Sequence, residues 1–413
     1  MRYVSRTLET TLARAARTFP AVLVTGPRQS GKTTLLRHVF GRTHAYVSLE
    51  RPDVRARAIS DPVAFFQDNP PPVILDEIQR APELLHYAKD AIDEDRRAGR
   101  WVFTGSQGLS LLDGISQTLA GRVAVLHLDP MTLGEVRRRP AQATMARVLA
   151  GVFGGTASPG RAREPTTPRI KLGDWLMRGG FPEVRLDPRV DRALWLSSYV
   201  QTYLERDVRD VLRVGDLEAF GRFLRLVAAR TGTLLNMTDL GRDAGITGPT
   251  AKSWLSVLEA SHLVYLLRPH FRNLGKRLVK SPKIYVTDPG LATYLMGLHT
   301  AEAALHGPSA EALVETAIVS EWVKLFRQRG ETPPLYFFRS SAGDEVDLVV
   351  EYDGRTYGVE IKATATPRPE HAESLARWMD ATGSDARGVL ACQVDAPTAL
   401  RPGVRAVPWS PEA

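Results

Sequence analysis

The chain has 413 residues, 43% of them hydrophobic and 24% charged, an ordinary globular composition too long for one core, and it predicts about two to four domains. A net charge of +8 and a pI near 9.6 favour a polyanionic partner, nucleic acid ahead of a membrane surface. The single cysteine, Cys392, excludes an intramolecular disulfide framework and fits a reducing compartment, with the cytoplasm expected. No apolar run approaches the roughly 18 residues of a membrane span.

The Arg-rich opening "MRYVSRTLETTLARAARTFP" reads as a helix leading into a first strand rather than as a transit peptide. Over the first 130 residues, "AVLVTG", "HAYVSLE", "PPVILDE", "RWVFTGS" and "VAVLHLDP" alternate with helical patterns, the rhythm of a parallel sheet with crossover helices.

"GPRQSGKTT" follows the first strand and opens a helix, and it matches G-x-x-x-x-G-K-[ST] from Gly26 to Thr33. The backbone of Gly26, Pro27, Arg28, Gln29, Ser30 and Gly31 would cradle phosphates, with Thr34 closing the first turn. Lys32 would reach the β and γ phosphates of ATP and the Thr33 hydroxyl would bind Mg2+. In "VILDE", Asp76 emerges at a strand end to hold the metal and Glu77 would polarise the attacking water. Ser106 or Gln107, at the next strand end, would orient that water or sense the γ phosphate. Arg122 would serve as an arginine finger, as an internal sensor, or in a surface pairing.

These segments, with "LAGRV", "RGGFPEV" and "YLERDVRDV", resemble the prokaryotic AAA-type ATPases that carry a C-terminal domain of unknown function. The resemblance covers nearly the whole chain and implies an ASCE-type sheet with "HAYVSLE" as the extra strand and Glu77 as catalytic glutamate.

Residues 136–170 are rich in Arg, Pro, Gly and Thr and read as a partly flexible connection, and a helical segment follows over 171–216, including a long amphipathic helix from Asp191. Residues 217–297 have the layout of a winged helix-turn-helix: a short helix over 238–244, a turn in "GITGPT", and a second helix starting near Pro249. Trp254, Leu255 and Leu258 would face the core, leaving Thr250, Lys252, Ser253 and Ser256 for a major groove. Residues 266–283 hold six Lys or Arg and no acid, among them Arg268, Arg272, Lys276, Arg277 and Lys280, a phosphate-contacting wing. The competing expectation is a packing module between domains.

In residues 298–413, "GDEVDLVVEYDGRTYGVEIKA" predicts a hairpin turning at Asp353-Gly354. Its pairing places Asp347 opposite Glu360 and Glu345 opposite Lys362, so that either a cation sits between the two carboxylates or Lys362 relieves their repulsion. With Glu315 on the preceding helix, the set is similar to the PD-(D/E)xK nuclease core. That resemblance implies Mg2+ on Asp347 and Glu360, Lys362 beside the nucleophilic water, and Glu315 in support. The expected fold is thus α/β: a P-loop NTPase domain over 1–135, a helical and winged-helix middle, and a PD-(D/E)xK-like C-terminal domain. Expected partners are ATP and DNA, without a membrane, and a homo-oligomer is left open.

Overall fold

The computed structural model describes residues 3–106, 118–138, 144–154, 170–203, 216–270, 281–340, 342–383 and 385–411. Apolar segments β1 (Ala21–Thr25), β2 (Ala45–Ser48), β3 (Val73–Asp76), β4 (Trp101–Gly105) and β5 (Val123–His127) form a wholly parallel sheet in the order β2-β3-β4-β1-β5. Alternation along the strands serves two layers. Leu23, Leu75 and Phe103 pack on the face that holds Leu84, Ala88 and Ile92, whereas Val22, Ile74 and Val102 meet Leu8, Leu12, Leu35 and Leu36. The helices of this unit are α1 (Leu8–Thr18), α2 (Lys32–Phe40), α3 (Pro52–Ser60), α4 (Pro62–Asp68) and α5 (Leu84–Glu94). The parallel order brings the carboxyl ends of β1, β3 and β4 side by side, which is where a phosphate site requires them.

Short helices α6 (Leu133–Val136), α7 (Met145–Phe153), α8 (Leu172–Arg178), α9 (Pro182–Leu186) and α10 (Arg192–Tyr203) lead into the middle of the chain. The predicted connection over 136–170 therefore contains a helix, and its later part, like residues 204–215 of the predicted long helix, lies outside the described residues. Next come α11 (Leu217–Ala229), β6 (Thr233–Leu234), α12 (Met237–Ala244), α13 (Gly248–Ala260), β7 (Val264–Pro269) and β8 (Lys283–Val286). Asn236 caps α12 and Thr247 caps α13 through their side chains, and Gly245 takes the left-handed conformation between them at φ 73°. Trp254, Leu255 and Leu258 are buried as expected.

After α14 (Pro289–Leu295) and α15 (Ala301–His306), the long α16 (Ala310–Arg327) runs through the interior with nearly every residue from Leu313 to Phe326 buried. The remainder comprises β9 (Leu335–Arg339), β10 (Glu345–Tyr352), β11 (Arg355–Ile361), α17 (Glu373–Thr382), β12 (Ala386–Cys392), β13 (Thr398–Arg401) and β14 (Val404–Pro408). The β10/β11 hairpin has the predicted register, with Leu348 opposite Val359 and Val350 opposite Tyr357, and Asp353 and Gly354 both have positive φ as the two-residue turn demands. Parallel pairing of Arg268 with Tyr336 and Pro269 with Phe337 joins β7 to β9, so β6 to β14 make one nine-stranded sheet.

α17 packs so closely on β11 that a methyl group on Gly358 would lie 2.6 Å from the Trp378 ring and 2.7 Å from Leu375. Gly358→Ala is expected to cost about 1–3 kcal/mol through overpacking. A lower urea midpoint at unchanged m-value would report it.

Candidate functional site

The loop between β1 and α2 takes its shape from backbone that only some residues tolerate. Gly26 has φ 144° and Gly31 has φ 96°, and a Cβ on Gly26 would meet the Leu128 carbonyl oxygen at 2.2 Å. Gly31 caps α2 from the left-handed region, leaving the first N–H groups of that helix directed at the loop. The Lys32 ammonium donates to the carbonyls of Gly26 at 3.0 Å and Pro27 at 2.9 Å, so it already lies across the cradle. Ser30 is buried, Arg28 is half-buried, and Gln29 and Thr34 are exposed.

The expected second half of the site converges on this loop. Thr33 Oγ1 lies 3.1 Å from both oxygens of Asp76, which also accepts from the Tyr46 hydroxyl at 2.6 Å and from Thr104. Burial and the Asp76 carboxylate push the Tyr46 phenol up to about 12. Glu77 has a left-handed backbone at φ 59°, its N–H donates to Thr104 Oγ1, and Ser106 Oγ donates to its carboxylate at 3.1 Å, as does Gln79. Ser106 thus touches Glu77, while Gln107 lies outside the described residues. Arg122 is elsewhere: it precedes β5, at the amino end of the parallel strands whereas the phosphate loop is at their carboxyl end, and forks onto Asp93 at 2.7 and 2.8 Å. Its surface pairing is realised, and this chain does not bring it to its own phosphate loop.

Tyr46, Thr104 and Gln79 went unnoticed in the sequence, as did Arg6. The Arg6 guanidinium is buried, donates to the carbonyls of Ser30 at 2.9 Å and Asp129 at 2.7 Å, and lies 3.1 Å from Glu135. Glu135 accepts from Gln328 at 3.1 Å, and Asp129 accepts from Arg327 at 2.9 Å, so the phosphate loop shares a buried network with the end of α16. Beside it the rings of His127 and His262 meet edge to face at 5.0 Å. Burial first, and the Arg327 charge second, hold His127 down at about 4 and His262 at about 3.

The C-terminal carboxylates also converge, on a cation that the sequence reading did not single out. Lys283 of β8 places its ammonium 2.8 Å from Glu315, 2.6 Å from Glu345 and 3.7 Å from Asp347. Tyr285 donates to the same Glu315 oxygen at 2.5 Å. Asp347 accepts the backbone N–H of Ile361 at 2.8 Å, and Lys362 donates to Glu360 at 2.8 Å. The expected Glu345–Lys362 pairing is therefore replaced by Glu345–Lys283 and Lys362–Glu360. Burial and the Asp347 charge raise Glu315, and the same two causes push Glu360 up to about 8. Burial opposes the charge on Lys283, yet Glu315 and Asp347 outweigh it and hold its pKa above the ordinary value. Among the described residues no group of three or more His, Cys, Asp or Glu side chains is arranged to hold a metal ion, and the position between Glu315, Glu345 and Asp347 is taken by the Lys283 ammonium.

On α13, Lys252, Ser253 and Ser256 are exposed and Thr250 half-exposed; Arg268 on β7 is exposed too. Arg272, Lys276, Arg277 and Lys280 lie outside the described residues. Among the described residues no helix is long and apolar enough to cross a membrane.

The sheet order, the glycine-shaped loop and the Thr33–Asp76 pair define an AAA-type P-loop ATPase domain, and residues 18–137 match the family described as "AAA domain". Residues 169–302 and 310–411 match two families described as domains of unknown function, DUF8612 and DUF4143. The chain is 31% identical over 357 residues to the uncharacterized protein Rv2008c of Mycobacterium tuberculosis and, equally, to the uncharacterized protein Mb2031c of Mycobacterium bovis, covering 86% of this chain and 73% of each relative. It belongs to the same family as these two mycobacterial proteins. The Walker-type ATPase PABY2304 of Pyrococcus abyssi is similar over 70% of this chain and 94% of its own, at 14% identity and a TM-score of 0.43.

The two histidines generate a pH dependence. Above about pH 6.5 both are neutral whether folded or unfolded; below it the unfolded chain takes up protons that the folded chain refuses until about pH 4. Stability is therefore lost as pH falls through this window, by at most about 3 kcal/mol for His127. Urea midpoints measured between pH 7 and about pH 5 are expected to fall less in His127→Gln and His262→Gln than in the parent.

Proposed function

We propose that this protein hydrolyses ATP at the phosphate loop and uses the cycle to control its engagement with DNA. The observation that carries the proposal is the convergence of Lys32, Thr33, Asp76 and Glu77 at the carboxyl ends of adjacent parallel strands. Lys32 would exchange its carbonyl partners for the β and γ phosphate oxygens of ATP. Thr33 and Asp76 would hold Mg2+, whose charge offsets that of the phosphates when bound. Glu77, fixed by Ser106 and Gln79, takes a proton from water as its oxygen bonds to the γ phosphorus, and the bond from that phosphorus to the bridging oxygen breaks to leave ADP.

The order α11-β6-α12-α13-β7-β8 supports reading this module as a winged helix-turn-helix with α13 as the groove-reading helix. The exposed face of Thr250, Lys252 and Ser253, and Arg268 at the start of the basic connection to β8, support DNA as the ligand. The order α16-β9-β10-β11-α17-β12 supports a PD-(D/E)xK-like C-terminal fold. The reading in which that domain also cleaves DNA, with Asp347, Glu360 and Glu315 on a metal, is disfavoured by the placement of Lys283.

Phosphate release, measured with and without DNA, tests the proposal. Lys32→Ala should abolish turnover, and Glu77→Gln should retain ATP while lowering turnover by about 100-fold or more. Turnover by Lys32→Ala at the parent rate would exclude the site. DNA affinity, read by fluorescence anisotropy, should fall steeply with salt, and the salt slope should drop by about one unit for each of Lys252→Ala and Arg268→Ala.

A further inference from the structure

We propose that Lys283 is the resident cation of the C-terminal acidic centre, so that the centre fastens β8 and its helical module to the C-terminal sheet and loads no divalent metal while β8 is docked. The resemblance to metal nucleases makes the opposite expectation natural, because Asp347, Glu360 and Glu315 stand near one another. What Glu315 and Asp347 surround, together with Glu345, is an ammonium.

Geometry carries the argument. An ammonium has three N–H donors, and three carboxylates from two elements converge on this one: Glu315 from α16, Glu345 and Asp347 from β10. The Lys283 side chain is only 6% exposed, and its charge also sits 5.6 Å from the centre of the Phe337 ring. Tyr285, one turn of the pleat along the same strand, donates to Glu315 as well, so β8 supplies two donors to one carboxylate. The remaining ligand candidates are engaged: Asp347 by the Ile361 N–H, and one Glu360 oxygen by Lys362.

Charge gives the same answer. Four carboxylates, Glu315, Glu345, Asp347 and Glu360, face three cationic groups, because Arg339 also lies 3.8 Å from Glu345. A dication added to this set would stand beside the buried Lys283 ammonium and repel it. One Glu360 oxygen is buried without a hydrogen-bond partner, which by itself would invite a metal. A metal reaching it without displacing Lys283 would draw on Glu360 and on Asp347, whose Oδ1 already lies 3.7 Å from the Lys283 ammonium, so the two cations would crowd one carboxylate.

The test uses the full-length, nucleotide-free chain, with Mn2+ as the probe, and is independent of the ATPase reading. At about 1 mM Mn2+ the parent's melting temperature is expected to stay unchanged. Lys283→Ala should melt lower than the parent, Mn2+ should restore part of the loss, and adding Asp347→Asn should remove that restoration. Should Lys283→Ala fail to fold, Mn2+ binding to the parent decides, followed by electron paramagnetic resonance: no bound Mn2+ sensitive to Asp347→Asn upholds the proposal. Bound Mn2+ that Asp347→Asn eliminates overturns it, as does a Lys283→Ala protein that folds with parental stability and no new response to Mn2+.

Discussion

The interior helix α16 imposes the constraint on which the rest of the molecule depends. A helix buried on all sides would ordinarily be apolar throughout, yet this one carries Glu315, Glu321, Lys324 and Arg327. Each buried charge must find a partner or destabilise the fold by several kcal/mol, roughly 3–5 when one member of a pair is removed. The partners come from distant parts of the chain. Glu321 accepts the Leu133 N–H at the start of α6, Arg327 meets Asp129 just beyond β5, and Gln328 reaches Glu135. The ATPase domain is consequently held against the C-terminal half by directional bonds, which fix orientation in a way that apolar packing alone does not.

That docking reaches the phosphate loop. Arg6 stands between the Ser30 carbonyl and Glu135, and Glu135 also caps α6 through Thr132, so loop, cap and α16 share one set of donors and acceptors. At the opposite end, about 18 Å away by helical rise, the same rod presents Glu315 to Lys283 and Tyr285. One element therefore touches both chemically distinctive places in the molecule.

Features governed by local rules were legible in the sequence. The phosphate loop, the strand end carrying Asp76 and Glu77, the helix starting near Pro249 and the hairpin register all follow from glycine conformation, proline placement and period-two alternation. Features governed by long-range pairing were not. Lys283 closes a run of basic residues and reads as one more phosphate contact, yet its position on a strand between β6 and β7 turns it inward. Arg6 sits in an Arg-rich helical opening that gives no hint of Ser30, twenty-four residues on. The Glu345–Lys362 pairing failed because ideal ladder geometry stops at Leu348–Val359; beyond it the Asp347 carboxylate captures the Ile361 N–H.

The parallel join between β7 and β9 decides where this chain can be divided. Without β7, strand β9 would offer part of a row of unpaired N–H and C=O groups, a template for edge-to-edge association with other chains. Cutting before α16, where the C-terminal family match begins, exposes that edge and also strips Glu315, Glu345 and Asp347 of their lysine. The sequence boundary between the two families is thus a poor mechanical boundary. A fragment of this chain that behaves as a unit must start upstream of β6, so that β8 brings its lysine and β7 covers the edge of β9.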